Sequence, residues 1–340
     1  MPRTYGSRVL TWSGTGILLP TIAPVDRVPF SSTRATGIVL ANQRQITAGR
    51  QVILSAGAVF SPALLQRSGI GPTSLLSSLS IPVVQDLPVG ANLSDNPCVP
   101  VVARPKPGAY TAGDFSLQMQ ARWSSTARKG AIDLQMVCFS YLSASASSSP
   151  PQQPVASSHG QRSLGGSISG HIAGIGCNLN KPTSLGSVNI QSRDPNEHPL
   201  IAPNFLSTAA DRASAREVVR LAHKIILSES MQAVLSPPLG LTPQIIASEL
   251  LLDEWIRSQY SSTYHFTSSC RMASRERGGV VDQSGCVYGV QGLRVADASV
   301  IPTIPAANTM WLTMRFAERI GRSVREGRPV ESRQRIGARL

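Results

Sequence analysis

The sequence has few acidic side chains for its many basic ones, and this imbalance is the first property to explain. Its 340 residues carry 19 aspartates and glutamates against 32 lysines and arginines, a formal net charge of +13. A basic excess can serve nucleic-acid binding, but here the arginines are scattered, without interleaved aromatics or a nucleic-acid-binding motif. Part of the excess lies in a basic tail, residues 326–340, which is typical of a solvated segment. We therefore expect no nucleic-acid partner.

Cysteine is also scarce. The chain has five cysteines, with no paired metal-binding spacing and no disulfide-dense pattern: Cys98, Cys138, Cys177, Cys270 and Cys286. Neither CxxC nor HxxxH occurs, so we expect no metal site. These cysteines suit a reducing compartment or simple burial.

Long apolar runs are missing as well. No stretch reaches the roughly 20 apolar residues that a membrane-spanning helix needs, and the run over residues 16–24 is interrupted by Pro20. The N-terminus lacks the basic start, apolar run and small-residue cleavage site of a signal peptide. We expect a soluble protein that does not bind membranes, with the cytoplasm as the favoured location.

The local patterns mix strands and helices. A short apolar run over residues 51–57 ends in small residues, which is typical of a buried strand that opens on a ligand crevice. Ser61 and Pro62 predict an N-cap and first helical position, and Gly69 a helix stop. Residues 116–123 and 132–137 alternate with the strand period.

The second half of the chain contains longer helical patterns. A helix is predicted from Ala209, a second over residues 243–258, and a third after Asn308, which would be its N-cap. The Ser-, Pro- and Gln-rich segment 143–161 is predicted to be a mobile surface loop.

His265 is the residue with the clearest chemical potential. Its imidazole titrates near neutrality, and the small side chains of Thr267, Ser268 and Ser269 leave room for a ligand. By itself such a histidine can equally be structural. Asn308 follows 43 positions later, since 308 − 265 = 43, and no serine lies in a nucleophile-elbow sequence.

Several segments together resemble the glucose–methanol–choline (GMC) flavoprotein oxidoreductases. Residues 57–71 are similar to the second signature of that family, with Gln66 where an apolar residue is usual. Residues 89–96 resemble its Gly-x-Asn-Leu-x-Asp-His segment, with Asn96 in place of the histidine.

The resemblance continues near the C-terminus. Residues 264–272 are similar to the catalytic-histidine segment, with Phe266 where proline is usual and Ser268 and Ala273 where glycines are. Residues 279–282 and 287–299 resemble the family's closing strand, and 302–309 the segment with its second active-site residue.

The resemblance implies an α/β (mixed α+β) fold: the remnant of a GMC-type FAD-binding domain plus a substrate domain whose antiparallel or mixed sheet is flanked by helices. The implied bounds are 1–97 and 256–325 for the FAD-domain segments, 98–255 for the substrate domain, and 326–340 for the tail.

The same resemblance implies the chemistry. The chain would be an FAD-dependent dehydrogenase or oxidase that oxidises the alcohol group of a small organic substrate, passing hydride to flavin N5. His265 would accept the hydroxyl proton and Asn308 would hold the same oxygen. The residues implied to bind non-covalent FAD are Val25, Asp297, Ala298, Asn308, Thr309 and Met310.

One expected motif is missing. The family binds the ADP half of FAD through a Gly-x-Gly-x-x-Gly turn between a strand and a helix, and this sequence has none. Three explanations stay open: an incomplete gene model, a short protein that works as an oligomer or with a complementing flavoprotein chain, or an inactive, flavin-free binding protein. A non-redox lyase that uses the same histidine is a further alternative.

Overall fold

The computed structural model describes residues 9–12, 18–21, 24–109, 117–144 and 170–327. These residues form seven α-helices: α1 Gly57–Arg67, α2 Thr73–Ser78, α3 Ala209–Ile226, α4 Glu229–Val234, α5 Pro243–Ala247, α6 Glu249–Gln259 and α7 Met310–Arg325. Two short 3₁₀ helices cover Arg275–Arg277 and Ala298–Val300. None of these described helices combines the length and the apolar composition of a bilayer-spanning segment.

Most of the strands are short. In chain order they are β1 Val9–Trp12, β2 Leu18–Thr21, β3 Val25–Arg27, β4 Phe30–Ser31, β5 Arg34–Ala35, β6 Gly37–Leu40, β7 Gln45–Thr47, β8 Val52–Leu54, β9 Ile70–Gly71, β10 Gln85–Asp86, β11 Ala91–Leu93, β12 Pro97–Ala103, β13 Leu117–Trp123, β14 Leu134–Ala144, β15 Gly170–Leu179, β16 Gly186–Asn189, β17 Leu200–Ala202, β18 Ser261–Ser262 and β19 Leu293–Val295. The mixed α/β class predicted from the sequence is confirmed.

The largest sheet is antiparallel, with strand order β13-β14-β15-β12-β18. Because side chains alternate along each strand, one face carries apolar residues such as Val99, Val101 and Ile175. Helices α3 and α6 cover this face with Val218 and Ile256, which belong to the same buried cluster. The opposite face is more polar: Gln135 lies on β14 between Arg122 and Asn178 of the neighbouring strands.

A second core forms around the parallel pair β8 and β19, in which Val52 lies opposite Leu293. Its buried members come from two distant parts of the chain, residues 25–89 and 270–320, so the first core is inserted between them in sequence. The strand predicted over 51–57 is therefore confirmed, and its carboxyl end faces helix α1. The domain bounds given above stay a prediction.

Helix α1 begins earlier than predicted. It starts at Gly57, and Pro62 lies inside it, so the prediction of a start at Ser61 was wrong. Proline lacks the N–H that would bond to the carbonyl four residues before it. The Ala58 carbonyl instead accepts a hydrogen bond from Ser269 Oγ at 2.6 Å, which explains how the helix tolerates Pro62. Gly69 ends the helix as predicted, with φ of +84°.

The other helix predictions have mixed outcomes. Helix α3 starts at Ala209 as predicted, and the strands predicted over 116–123 and 132–137 correspond to β13 and β14. The single helix predicted over 243–258 is wrong: the chain forms α5 and α6, because Ser248 leaves the helical conformation and caps α6 through its side chain. Most of the predicted loop (145–161) and most of the tail (328–340) lie outside the described residues.

Gln66 ties helix α1 to the neighbouring segments. Its side chain is fully buried, and Nε2 donates to the carbonyls of Val89 and Val188 at 3.0 and 2.9 Å. Its Oε1 accepts from the Ile190 N–H at 2.9 Å. The amide therefore satisfies three buried main-chain groups, which an apolar residue at this position does not do.

We expect Gln66→Leu to lower the free energy of unfolding by about 2 kcal/mol, because unpaired buried groups cost more than the new apolar burial returns. Chemical denaturation measures this as a lower midpoint. Gln191→Leu is the matched control, since Gln191 is exposed and makes a single hydrogen bond, to the His198 carbonyl. Equal midpoints for the two variants would contradict the role given to Gln66.

Candidate active site

His265 lies in a loop between β18 and the second core. The loop is fixed by main-chain hydrogen bonds to two segments. Thr267 and Ser94 exchange N–H···O bonds of 2.8 and 3.1 Å, and the Cys270 N–H donates to the Ser299 carbonyl at 2.9 Å. These bonds place His265 between the segment before β12 and the end of β19.

The loop contains two residues with left-handed backbone. Tyr264 has φ of +61° and Ser268 has φ of +71°. Ser268 stands where the GMC segment has a glycine, and it adopts the conformation that glycine adopts at lowest cost. The substitution therefore adds strain while the turn keeps its conformation. Ala273, the other residue at a glycine position, has no positive φ.

The imidazole of His265 is held on one side by acceptors. Its main-chain N–H donates to Asp95 Oδ1 at 2.8 Å, and its Nδ1 lies 3.1 Å from both Asn96 Oδ1 and Thr263 Oγ1. Asp95 is buried and also accepts hydrogen bonds from the Asn96 N–H at 2.8 Å and from Ser262 Oγ. The ring is half-buried, with Nε2 directed toward Asn308.

Burial and charge act in opposite directions on the pKa of His265. Loss of solvent lowers the pKa of the imidazole, and the nearby Asp95 carboxylate partly counteracts this by raising it. The net result is a pKa below the ordinary value, which keeps the ring neutral at physiological pH. A neutral imidazole can accept a proton.

Asn308 lies opposite His265. Its Nδ2 is 3.3 Å from His265 Nε2, and its side chain is exposed. The preceding loop is held by β13 of the large sheet and by the segment after β15: Lys181 Nζ donates to the Ile304 carbonyl at 2.7 Å, and Arg122 donates to the Ala306 carbonyl at 3.3 Å. These two contacts help to position Asn308.

The prediction that Asn308 caps a helix was wrong. Helix α7 begins at Met310 with Thr309 at the N-cap, and the Thr309 side chain makes no capping hydrogen bond. Asn308 lies one residue too early to cap, so its amide is available to His265. Thr309 and Met310 form the start of the helix beside this pair, and Met310 is exposed.

Asp297 connects the end of β19 to the start of helix α1. Its Oδ2 accepts from the Gly57 N–H at 2.9 Å and from Ser61 Oγ at 2.5 Å. Its Oδ1 accepts from the N–H and the hydroxyl of Ser299 at 2.8 and 2.5 Å. The buried carboxylate is thereby saturated by protein donors, so a ligand here would meet main-chain groups.

This region fits a bound polar cofactor. Among the described residues, the main-chain N–H groups of Asp297 and Ala298 have no hydrogen-bond acceptor. Gly57 faces open space, since a Cβ placed on it would meet no atom within 4 Å. Unpaired N–H groups and bare backbone at the carboxyl end of parallel strands suit an anionic or ribityl-like group.

Val25 is placed differently from the other predicted cofactor residues. It lies in β3, its side chain belongs to the second core, and its carbonyl accepts a hydrogen bond from Arg67 at 3.3 Å. The structure therefore brings His265 and Asn308 together and places Thr309 and Met310 beside them. Asp297 and Ala298 lie at the nearby end of β19, beside α1.

Sequence reasoning did not assign roles to Asp95 and Asn96. Both side chains are buried and both bond to His265. The signal was present, because they end the segment 89–96 that resembles the family's Gly-x-Asn-Leu-x-Asp-His. Asn96 interrupts that pattern, because it stands where the family segment has histidine.

An imidazole and an amide thus meet near the carboxyl end of the parallel strand pair β8 and β19. Models of the GMC oxidoreductase N-terminal and C-terminal regions match residues 11–98 and 182–317 respectively. The chain belongs to the GMC oxidoreductase family.

Curated relatives include oxygen-dependent choline dehydrogenases. That of Pseudomonas aeruginosa (strain LESB58) is 34% identical over 332 residues, covering 92% of this chain and 58% of the relative. That of Pectobacterium atrosepticum is 31% identical over 356 residues, covering 94% of this chain and 58% of the relative. The chain thus spans less than two thirds of the length of these relatives.

Solved structures share the fold. Pyridoxine 4-oxidase from Mesorbium loti superposes with a TM-score of 0.74 at 22% identity, over 89% of this chain and 57% of that one. A variant of formate oxidase from Aspergillus oryzae superposes with a TM-score of 0.74 at 22% identity, over 89% of this chain and 60% of that one.

Proposed function

We propose that this protein takes part in the FAD-dependent oxidation of an alcohol group on a small organic substrate, with His265 as the catalytic base. The observation that carries the proposal is the 3.3 Å approach of Asn308 Nδ2 to His265 Nε2. The curated relatives named as choline dehydrogenases support an alcohol-type donor.

Both side chains can bind one hydroxyl group. His265 Nε2 would accept the hydroxyl proton, while Asn308 Nδ2 would donate a hydrogen bond to the oxygen as negative charge develops on it. Asn308 is exposed, so it can move from the imidazole to the substrate without disturbing a core. The positions of both residues are fixed by the loop contacts described above, which limits the entropy lost on reaction.

FAD, when bound, would supply the redox chemistry as the acceptor of the hydride from the alcohol carbon. The residues that would hold it are Asp297 and Ala298 through their main-chain N–H groups, and Thr309 and Met310 at the start of α7. The N-terminus of α7 has free N–H groups and partial positive charge, which would stabilise negative charge on the reduced cofactor.

The test uses the purified chain with added FAD. We expect the flavin absorption bands to remain with the protein after desalting and to bleach anaerobically when a small alcohol is added. A protein that stays colourless with FAD would refute the proposal for the chain by itself. Bound flavin that no alcohol in a panel bleaches would favour the binding-protein alternative.

If His265 is the catalytic base, kcat/KM should depend on pH. Because His265 must be neutral to accept a proton, kcat/KM should rise with pH through its pKa. That pKa is lowered by burial, so the acid limb should lie below the about 6.5 of a free imidazole. The measurement is kcat/KM for the alcohol across the acid range.

Asp95→Asn tests the electrostatic part of this prediction. Removing the carboxylate charge removes the effect that raises the pKa of His265, so the acid limb should move to lower pH. Asp86→Asn is the control, because Asp86 is exposed and hydrogen-bonds Thr73 instead. A limb that moves to higher pH in Asp95→Asn would contradict the assignment.

A further inference from the structure

The side-chain amide of Asn96 is buried, and its nitrogen and its oxygen each face defined partners. Its Nδ2 donates to the carbonyls of Leu179 and Asn180 at 3.1 and 3.0 Å. Its Oδ1 faces His265 Nδ1 at 3.1 Å. Reversing the amide would set an oxygen against two carbonyl oxygens, so the hydrogen bonds to β15 and the residue after it determine which end faces the histidine.

Thr263, like Asn96, presents a hydrogen-bond acceptor to the imidazole ring of His265. Its hydroxyl donates to the Asn96 carbonyl at 2.9 Å, which uses its proton. The Thr263 oxygen, 3.1 Å from His265 Nδ1, can therefore only accept. Both neighbours of Nδ1 are acceptors, and a neutral imidazole satisfies them only when Nδ1 carries the proton.

We infer that Asn96 is a positioning residue that fixes the tautomer of His265, with the proton on Nδ1 and the lone pair on Nε2. The Nε2 atom is the one that faces Asn308, which donates to it from Nδ2. Asn96 thus does for His265 what a carboxylate does for the histidine of a hydrolytic triad, without adding a charge. The catalytic consequence rests on the function proposed above, whereas the tautomer does not.

The hydrogen-bond chain also reaches the large antiparallel sheet. Asn180, whose carbonyl accepts from Asn96, donates from Nδ2 to Gln135 Oε1 at 3.0 Å. Gln135 in turn donates to Gln120 Oε1 at 2.9 Å. The orientation of the base is thereby anchored in three strands or their ends, so it does not depend on the loop alone.

The first test is spectroscopic and needs no cofactor. The full chain is labelled with nitrogen-15 histidine, and proton–nitrogen correlation spectra report which ring nitrogen of His265 is protonated, with His265→Gln providing the assignment. We expect Nδ1 to be protonated at neutral pH. Protonation at Nε2, or an even mixture, would overturn the inference. Nδ1 protonation in a protein without alcohol-oxidising activity would leave it intact while the proposed function fails.

Two variants assign the effect to Asn96. Asn96→Leu leaves Nδ1 with only the weaker hydroxyl acceptor of Thr263, so the fraction of His265 with the proton on Nε2 should rise and kcat should fall by up to about 10²-fold, with a small change in KM. An unchanged tautomer in this variant would overturn the role of Asn96. Thr263→Val removes the second acceptor alone and should keep the proton on Nδ1. If the proton moves to Nε2 in Thr263→Val, then Thr263 and not Asn96 fixes the tautomer. This outcome would overturn the inference even if Asn96→Leu does not fold.

Discussion

Replacing His265 with glutamine is expected to lower kcat/KM for the alcohol substrate by about 10² to 10⁴-fold, the range that general-base catalysis contributes. Glutamine keeps the side chain polar and similar in reach, but it cannot accept a proton. Flavin binding should be retained, because His265 contacts Asp95, Asn96 and Asn308 rather than the Asp297 region. Steady-state kinetics with a flavin absorption spectrum measure both properties.

The matched control is His198→Gln. His198 is exposed and packs against the ring of Phe60 at a centroid distance of 6.2 Å, away from the loop that carries His265. This variant should keep wild-type kinetics. A His265→Gln enzyme with flavin bound and kcat/KM within a few-fold of wild type would rule out His265 as the base and favour a structural role.

Removing the carboxylate of Asp297 is expected to have the largest effect on stability. Asp297→Ala should lower the free energy of unfolding by about 3 kcal/mol or more, because buried donors left without a partner cost about 1–3 kcal/mol each. The buried donors that lose their acceptor are Ser61 Oγ and both donors of Ser299, and the half-buried Gly57 N–H loses its acceptor as well. Denaturant titration measures the change in midpoint and slope.

Asp86→Ala is the control for this variant. Asp86 also accepts a hydrogen bond from a main-chain N–H, that of Thr73 at 3.1 Å, but its side chain is exposed. We expect its substitution to cost about 0.5 kcal/mol or less, as is usual for surface positions. Equal losses in the two variants would show that burial of the Asp297 network contributes little.

The course of the chain was largely predictable from local patterns. The apolar run that became β8, the alternation that became β13 and the amphipathic pattern of α3 each depend on neighbours in sequence, so sequence alone identified them. Helix starts were harder. Pro62 indicated a first helical position, but α1 begins at Gly57 because Ser269, 211 residues away, donates to the carbonyl that proline leaves free.

In the candidate site, too, local patterns could be predicted from the sequence and long-range contacts could not. The segments around His265 and Asn308 are identifiable from sequence because their residue types and spacing form a pattern, and Ser268 departs from that pattern by replacing a glycine. The buried role of Gln66 was not predicted, since its three partners come from segments 23 to 124 residues away. Long-range partners of polar side chains leave no local pattern.

The sequence by itself determined the family, the pair of segments that carry His265 and Asn308, and the mixed α/β class. Only the tertiary structure decided that Asp95 and Asn96 surround the histidine, that Asn308 faces Nε2 and is not a helix cap, and that the Asp297 carboxylate is fully bonded within the protein. The physical reason is that hydrogen bonds are directional and short. Whether a polar group is free or satisfied depends on atoms brought together from distant segments, which composition and periodicity do not encode.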